Sequence, residues 1–347
     1  MSNSIKISII IPVYNAEKHL RQCLDSLLNQ NIPMEQYEII GISDGSRDGS
    51  LAILQEYAEK YPNVIAVGKE NEGVSATRNK GMDLARGEYV WFIDADDWIA
   101  RDFLGNSGIL ELLDSQRAPL ILTGCVDMPD SESEKYADLH VSAGEVRFEK
   151  SSPFMTTSRG HFFAKHLIDA YQLRYDTNLA YGEDLMFMRE YLDFIRLENE
   201  KGSDYTILQG KGKDIYLYRI HSESVMGKLS SRMEKVADSI LYRARISMER
   251  HKNEAMPEWY RLNYQEYVHL HMKEYMIYYF PGLSAPMAAH LKQLKKEGLY
   301  PAPPPKLGWV KQTNPIAKIQ QFAFKHRLVY PLYYMIMRLK FKKAGSI

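Results

Sequence analysis

Three carboxylates fall within four positions at Asp94-Ala95-Asp96-Asp97, directly after the apolar run Tyr89-Val90-Trp91-Phe92-Ile93. Like charges this close repel, and each loses hydration as water is excluded. The pattern becomes favourable when a hard divalent cation, Mg2+ or Mn2+, sits at the carboxyl end of the strand. A cation held by two carboxylates and otherwise open suits a ligand that brings its own oxygens, such as a diphosphate. Two other acidic features stand apart: Asp44, which ends a second apolar run, and the pair Glu183-Asp184. A carboxylate facing a metal-bound diphosphate can take a proton from a hydroxyl nucleophile. Together these groups describe transfer from a nucleotide-activated donor.

The elements that must position them follow from pattern. Ile5 to Val13 is a near-continuous β-branched run, as in a central parallel strand, with Pro12 at its end. Leu20, Cys23, Leu24, Leu27 and Leu28 then recur at helical spacing. Tyr37 to Ser43 predicts a second strand, Leu51 to Tyr57 a helix, Val64 to Val67 a short strand, Ala76 to Ala85 a helix, and Glu88 to Ile93 a fourth strand. This alternation predicts βαβ units and a mostly parallel sheet with helices on both faces. The strands then end at Tyr14-Asn15, Asp44-Gly45-Ser46 and Asp94-Ala95-Asp96, placing three polar clusters on the one sheet edge where ligands gather.

Beyond this, Ile109 to Val126 predicts a helix and a strand. Asp127 to Leu139, acidic and poor in apolar residues, reads as an exposed insert. Ile215 to Ile220 is a late strand, ending at His221. From Leu229 the pattern is helical, broken at Pro281-Gly282 and by a stiff proline stretch, Pro301 to Pro305. Residues 1–225 are expected to form the catalytic domain, about 1–125 binding the donor and about 126–225 the acceptor, with 226–347 a mainly helical region.

Composition excludes several classes. Basic and acidic residues number 44 each, so no global charge points to nucleic acid. Two cysteines make no disulfide framework and suit a reducing compartment. No signal peptide is expected before the first strand, and no apolar run reaches the roughly 20 residues of a membrane span. The segment Gly73 to Gly81 lacks the ending of a phosphate-binding P-loop, and Asp44 to Gly49 lacks the ligand pattern of a calcium loop. Gly210 to Lys213 reads as a basic turn, and His161, His166, His269 and His271 have no zinc spacing.

Four segments, Ile9 to Asn15, Ser43 to Ser50, Asn71 to Gly81 and Phe92 to Asp97, resemble the family 2 glycosyltransferases of the GT-A fold in order and spacing. Gly182-Glu183-Asp184 with Phe187 is similar to the family's acceptor-side acidic motif. The resemblance implies an inverting enzyme using a nucleotide-sugar, a UDP-sugar first among donors, with Mn2+ or Mg2+. It implies that Pro12, Tyr14 and Glu17 line the base and ribose, and that Asp44 accepts a hydrogen bond from the base. Arg78 would stand near the nucleotide, with Asn79 and Gly81 shaping its loop. Asp94 would lie at the ribose or the metal, Asp96 would ligate the metal, and His221 would add a late metal or phosphate contact. Asp184 would be the general base, with Glu183 its neighbour. Ser43 stands where many relatives have a carboxylate, and Thr77 where alanine is commoner.

The implied acceptor is a saccharide or polyprenyl-linked saccharide of bacterial surface-polysaccharide synthesis, which places the chain in the cytoplasm at the inner membrane face. Phe322 to Lys343, aromatic at its centre and flanked by Lys and Arg, suits either an interfacial segment on an anionic leaflet or a helix packed on the catalytic domain. A nucleotidyltransferase and a non-catalytic scaffold of the same fold are the alternatives. The first would want a Gly-rich basic loop after strand one, where Tyr14-Asn15-Ala16-Glu17 stands.

Overall fold

In a computed structural model, residues 4–115, 118–136, 139–151, 157–220, 233–279 and 292–299 are described. The chain divides into two compact units, 1–177 with 183–222, and 178–182 with 223–347.

The first unit opens with β1 (Ile7–Val13), α1 (Glu17–Leu28), β2 (Tyr37–Asp44), α2 (Ser50–Lys60), β3 (Val64–Lys69), α3 (Val74–Leu84) and β4 (Tyr89–Phe92). There follow β5 (Trp98–Ile99), α4 (Phe103–Asn106), α5 (Ile109–Ser115), β6 (Leu120–Leu122), β7 (Cys125–Pro129), β8 (Arg147–Lys150) and β9 (Phe162–Ala164). The unit ends with α6 (Lys165–Ala170), α7 (Glu183–Glu200), β10 (Leu208–Lys211) and β11 (Tyr216–Ile220).

Eight strands form one sheet in the order β3-β2-β1-β4-β9-β6-β10-β8. The first four are parallel, as their βαβ connections require. Beyond β4 the sheet is mixed, because β9 runs antiparallel to both β4 and β6. The expectation of a mostly parallel sheet therefore holds for the half that carries the three polar strand ends. β-branched side chains on β1 alternate between two buried layers. Ile7, Ile9, Ile11 and Val13 pack with Leu20, Leu24 and Leu27 of α1, while Ile10 packs with Met82 of α3 and with Phe92 and Phe187. Each such side chain withdrawn from water contributes about 1.5–3 kcal/mol.

Gly81 fits this packing for a steric reason. A Cβ there would lie 2.3 Å from Ile10 Cγ2, so its absence lets α3 close on β1. Asn79 and Gly81 thus sit on α3, within the helix that the spacing predicts. Two expectations are corrected in part. The segment from Asp127 is exposed at Asp127, Pro129, Ser131 and Glu132, but it is not all insert: β7 pairs in parallel with β11, and Met128 is buried beside Trp98 and Leu217. Pairing along β11 outweighs its acidic composition. Gly210 and Lys211 belong to β10, paired with β8, so only Gly212 onward is turn.

In the second unit, α8 (Met233–His251) and α9 (Glu258–Tyr279) pack on one another, burying Ile240, Ala244 and Met248 with Tyr264, Val268 and Met272. Arg250 Nη1 donates to Tyr264 Oη at 2.8 Å. Helix is what the sequence predicts here. No helix among the described residues is long and apolar enough to cross a membrane. His221, the break at Pro281-Gly282, the proline stretch and the Phe322 to Lys343 segment lie outside the described residues.

Candidate active site

The chain moves from β1 through β2 to β3 on one side, then returns to place β4 on the other side of β1. That reversal opens a crevice at the carboxyl ends of β1 and β4. Tyr14 follows β1 and is exposed, and Pro12 is half-buried. Asp94 follows β4, whose register sets Phe92 beside Ile10.

At the end of β2, Asp44 lies opposite Lys69 of β3 in register, and cross-strand neighbours of opposite charge attract. Lys69 Nζ donates to Asp44 Oδ1 at 2.5 Å, joined there by the Glu72 amide, while the Gly73 amide donates to Oδ2. Burial alone would raise the Asp44 pKa. Lys69 and the two amides outweigh it and hold the carboxyl below its usual range. Asp44 therefore shapes the 70–73 loop as well as facing the crevice end of β2.

Glu17 and Asp48 cap each other's helices. Glu17 Oε2 accepts from the Gly49 amide at 2.8 Å, and Asp48 Oδ2 accepts from the Glu17 amide at 3.0 Å.

Arg78 is the hinge of the site. It projects from α3, buried, and its Nη2 donates to Asp94 Oδ1 at 2.9 Å while its Nη1 donates to Glu183 Oε1 at 3.0 Å. Its guanidinium lies 5.2 Å from the Tyr175 ring centroid. Tyr175 in turn stacks on Phe187 at 4.2 Å, donates to Ser158 Oγ, and is held by paired hydrogen bonds with Asn79. Desolvation opposes the charge on Arg78, yet Asp94, Glu183 and Asp184 more than restore it, so the guanidinium stays cationic.

α7 begins at Glu183, directly after Gly182, whose φ of +75° is left-handed and suits glycine. Both acids of the pair occupy its first turn, where the helix dipole favours negative charge. The Asp184 carboxyl is nevertheless pushed up to about 6, by burial first and then by the neighbouring Glu183, against the pull of Arg78. A carboxylate poised there is ionised at neutral pH and still basic enough to accept a proton.

The three carboxylates after β4 have separate surroundings. Asp94 is bound by Arg78, with Arg159 Nη1 3.9 Å from its other oxygen. Asp97 is turned inward: it accepts from Tyr216 Oη at 2.5 Å and from the Arg219 amide at 2.8 Å. Burial, then Asp94 and Asp96, push the Asp97 carboxyl well above the usual range. Asp96 is part-exposed. Among the described residues no three His, Cys, Asp or Glu side chains converge as a metal cage. A Mg2+ or Mn2+ ion that draws oxygens from a diphosphate and water needs only one or two protein carboxylates. Asp96 with Asp94 fits such a cation.

His161 is buried, its Nδ1 accepting from the Thr123 amide, and burial lowers it to about 4. His166 bonds Tyr205 Oη. Neither belongs to the site. Sequence reasoning missed Lys69, Arg159, Tyr175, Tyr216 and Arg219. The available signal was charge in an apolar strand, as in Tyr216-Leu217-Tyr218-Arg219-Ile220.

A family model described as glycosyl transferase family 2 matches residues 8–167. A poly(ribitol-phosphate) beta-glucosyltransferase of Bacillus spizizenii is 30% identical over 247 residues, which cover 70% of this chain and 38% of that protein. The matched part thus spans well under half of that relative. The Staphylococcus aureus TarS 1-349 crystal structure in complex with UDP-GlcNAc aligns with a TM-score of 0.61 at 19% identity, covering 84% of this chain and 80% of that one. A mannosyltransferase from Pyrobaculum calidifontis, in complex with GDP-Man and Mn2+, aligns at 0.51 and 18% identity, covering 85% and 81%. At these identities the structural likeness speaks for a shared fold, the GT-A fold that the motifs imply. With those motifs on that fold, the chain carries a glycosyl transferase family 2 domain at residues 8–167.

Proposed function

We propose that this chain transfers a sugar from a UDP-sugar, with inversion, to a hydroxyl of a saccharide or polyol-phosphate chain, in lipid-linked or free form. The observation that carries this reading is the Arg78 bridge, which ties Asp94 at the donor end of β4 to Glu183 beside Asp184. One cation thereby fixes the donor-side acids and the base in a single frame. The UDP preference and the polymeric acceptor are supported by the UDP-GlcNAc of the staphylococcal structure and the poly(ribitol-phosphate) of the Bacillus relative's name.

In this mechanism Pro12 and Tyr14 flank the base, with Glu17 and Asp44 setting the loops around it. Asp184 accepts the proton of the attacking hydroxyl as that oxygen approaches the anomeric carbon from the face opposite the nucleotide. One displacement inverts the anomeric configuration, following the geometry of base and leaving group on opposite faces. Glu183 keeps Arg78 in place and, as a neighbouring negative charge, keeps Asp184 basic. Asp96 and Asp94 would hold a divalent cation, which would supply positive charge for the departing diphosphate. Any contribution of His221 adds to this set. A screen of UDP-, GDP- and dTDP-sugars, read as nucleotide release in Mn2+ with saccharide and polyol-phosphate acceptors, tests the proposal. Acceptor-dependent turnover of a UDP-sugar supports it; turnover confined to another nucleotide overturns the donor assignment.

A further inference from the structure

The residue that organises the far side of the acidic turn is Arg219, on β11. It is 2% exposed, yet its polar groups reach three separate segments. Nε donates to the Asp96 carbonyl at 2.7 Å, and the Arg219 amide donates to Asp97 Oδ1 at 2.8 Å. Nη1 donates to Asp130 Oδ1 at 2.6 Å, and Nη2 to Gln22 Oε1 of α1 at 2.5 Å. The guanidinium also lies 4.6 Å from the Trp98 ring centroid. Tyr216, three residues earlier on the same strand, completes the arrangement: its hydroxyl donates to Asp97 Oδ2 and accepts from the Asp94 amide at 3.2 Å.

A surface salt bridge would not need this many ties. A charge withdrawn from water is costly unless its donors are satisfied, and here they are spent on one turn and its supports. The planar fork reaches the main chain of Asp96 in one direction and α1 and Asp130 in two others. Rotation of the Asp96 peptide is therefore opposed by groups outside the turn. The side chains of Arg78 and Arg159 meet Asp94 from the other side. The turn is gripped at both ends, with Asp96 between them.

We propose that Arg219 is a positioning residue that fixes the main chain of Asp96, so that its carboxylate meets a divalent cation and diphosphate without first being ordered. The proposal rests on the donor-site reading above, and its closing experiment separates the two. The ordering is lost in Arg219→Gln, which cannot span the three directions. Arg219→Lys restores the charge without the fork. Gln22→Leu removes one support from outside the turn and serves if Arg219→Gln does not fold.

Hydrogen exchange of the free proteins and calorimetric titration of UDP, with and without Mn2+, provide the test. In Arg219→Gln the amides of Asp94 to Trp98 exchange at least tenfold faster, while those of β1 and β2 do not change. Affinity for UDP alone stays within about twofold of wild type, whereas the gain conferred by Mn2+ falls at least tenfold. Arg219→Lys recovers little of that gain, and Gln22→Leu shows the same pattern at smaller size. Unchanged exchange in the Asp94 to Trp98 segment overturns the proposal. So does faster exchange with the Mn2+ gain intact, since Arg219 would then be a structural tie only. Wild-type protein that binds no UDP would sink the donor reading instead, and the exchange comparison would still decide whether Arg219 orders Asp96.

Discussion

Arg78 and Glu183, 105 residues apart in sequence, meet at 3.0 Å, with Arg78 donating to the carboxylate that precedes the proposed base. The same guanidinium holds Asp94 at 2.9 Å. Removing one partner from such a buried set leaves a charge without compensation, typically at a cost of about 3–5 kcal/mol. Arg78→Met should therefore lower the melting temperature by several degrees. Combining it with Glu183→Gln should cost less than the sum of the two, and a double-mutant cycle by chemical denaturation measures that coupling.

Asp184→Asn should separate activity from stability. Transfer should fall about 10²- to 10⁴-fold with loss of the base. The carboxyl, pushed up to about 6 in the folded chain, is harder to ionise there than in the unfolded chain. Its stabilising contribution is thus complete at low pH and lost as pH rises through 6. At pH 7.5 the variant should be more stable than wild type by on the order of 1–2 kcal/mol. At pH below about 4 the two should converge. Differential scanning calorimetry at both values checks this.

The wild-type pH profile carries a related expectation. With Asp184 titrating at about 6, kcat/KM should fall roughly tenfold per unit below that pH. It should plateau above about 7. A profile flat from pH 5 to pH 8 would leave no role for this carboxyl as base.

Asp44→Asn should act through the loop it holds. Two amide donors and Lys69 lose their charged acceptor, at a cost of about 1–3 kcal/mol. UDP affinity should weaken as the Glu72 and Gly73 amides exchange faster. The Asp44 carboxyl is held below its usual range, so its contribution is present above about pH 4 and fades as pH falls further. The stability gap between variant and wild type should narrow accordingly on acidification.

Gly81→Ala places a Cβ 2.3 Å from Ile10 Cγ2. Overpacking of this kind costs about 1–3 kcal/mol. Adding Ile10→Ala makes room for it, so the double variant should be more stable than the sum of the single losses predicts, as read by denaturant titration.

Much of this was legible in residue patterns. The β-branched run of β1 and the helical spacing of α1 announced a parallel sheet, and strand ends at Tyr14, Asp44 and Asp94 announced its ligand edge. What was not legible depends on pairing between distant segments. β9 is three residues long, Phe162–Ala164, too short to show a period, and it becomes a strand because β4 and β6 lie on either side. β7 reads as acidic loop until β11 pairs with it. The acids after β4 look equivalent in sequence, yet Tyr216 and Arg219 turn Asp97 inward and leave Asp96 part-exposed. A charge within the apolar run Tyr216 to Ile220 marks Arg219, but nothing local marks its partners, which come from residues 22, 96, 97 and 130.

In the proposed mechanism Asp184, framed by Arg78 and Glu183, is the base of a metal-assisted sugar transfer. The most direct measurement is the rate of nucleotide release from a UDP-sugar by wild type and Asp184→Asn, each with acceptor and Mn2+. Acceptor-dependent release by wild type, abolished by EDTA and reduced at least a hundredfold in a folded Asp184→Asn protein, is the predicted result. Near wild-type release by that variant would exclude Asp184 as the base.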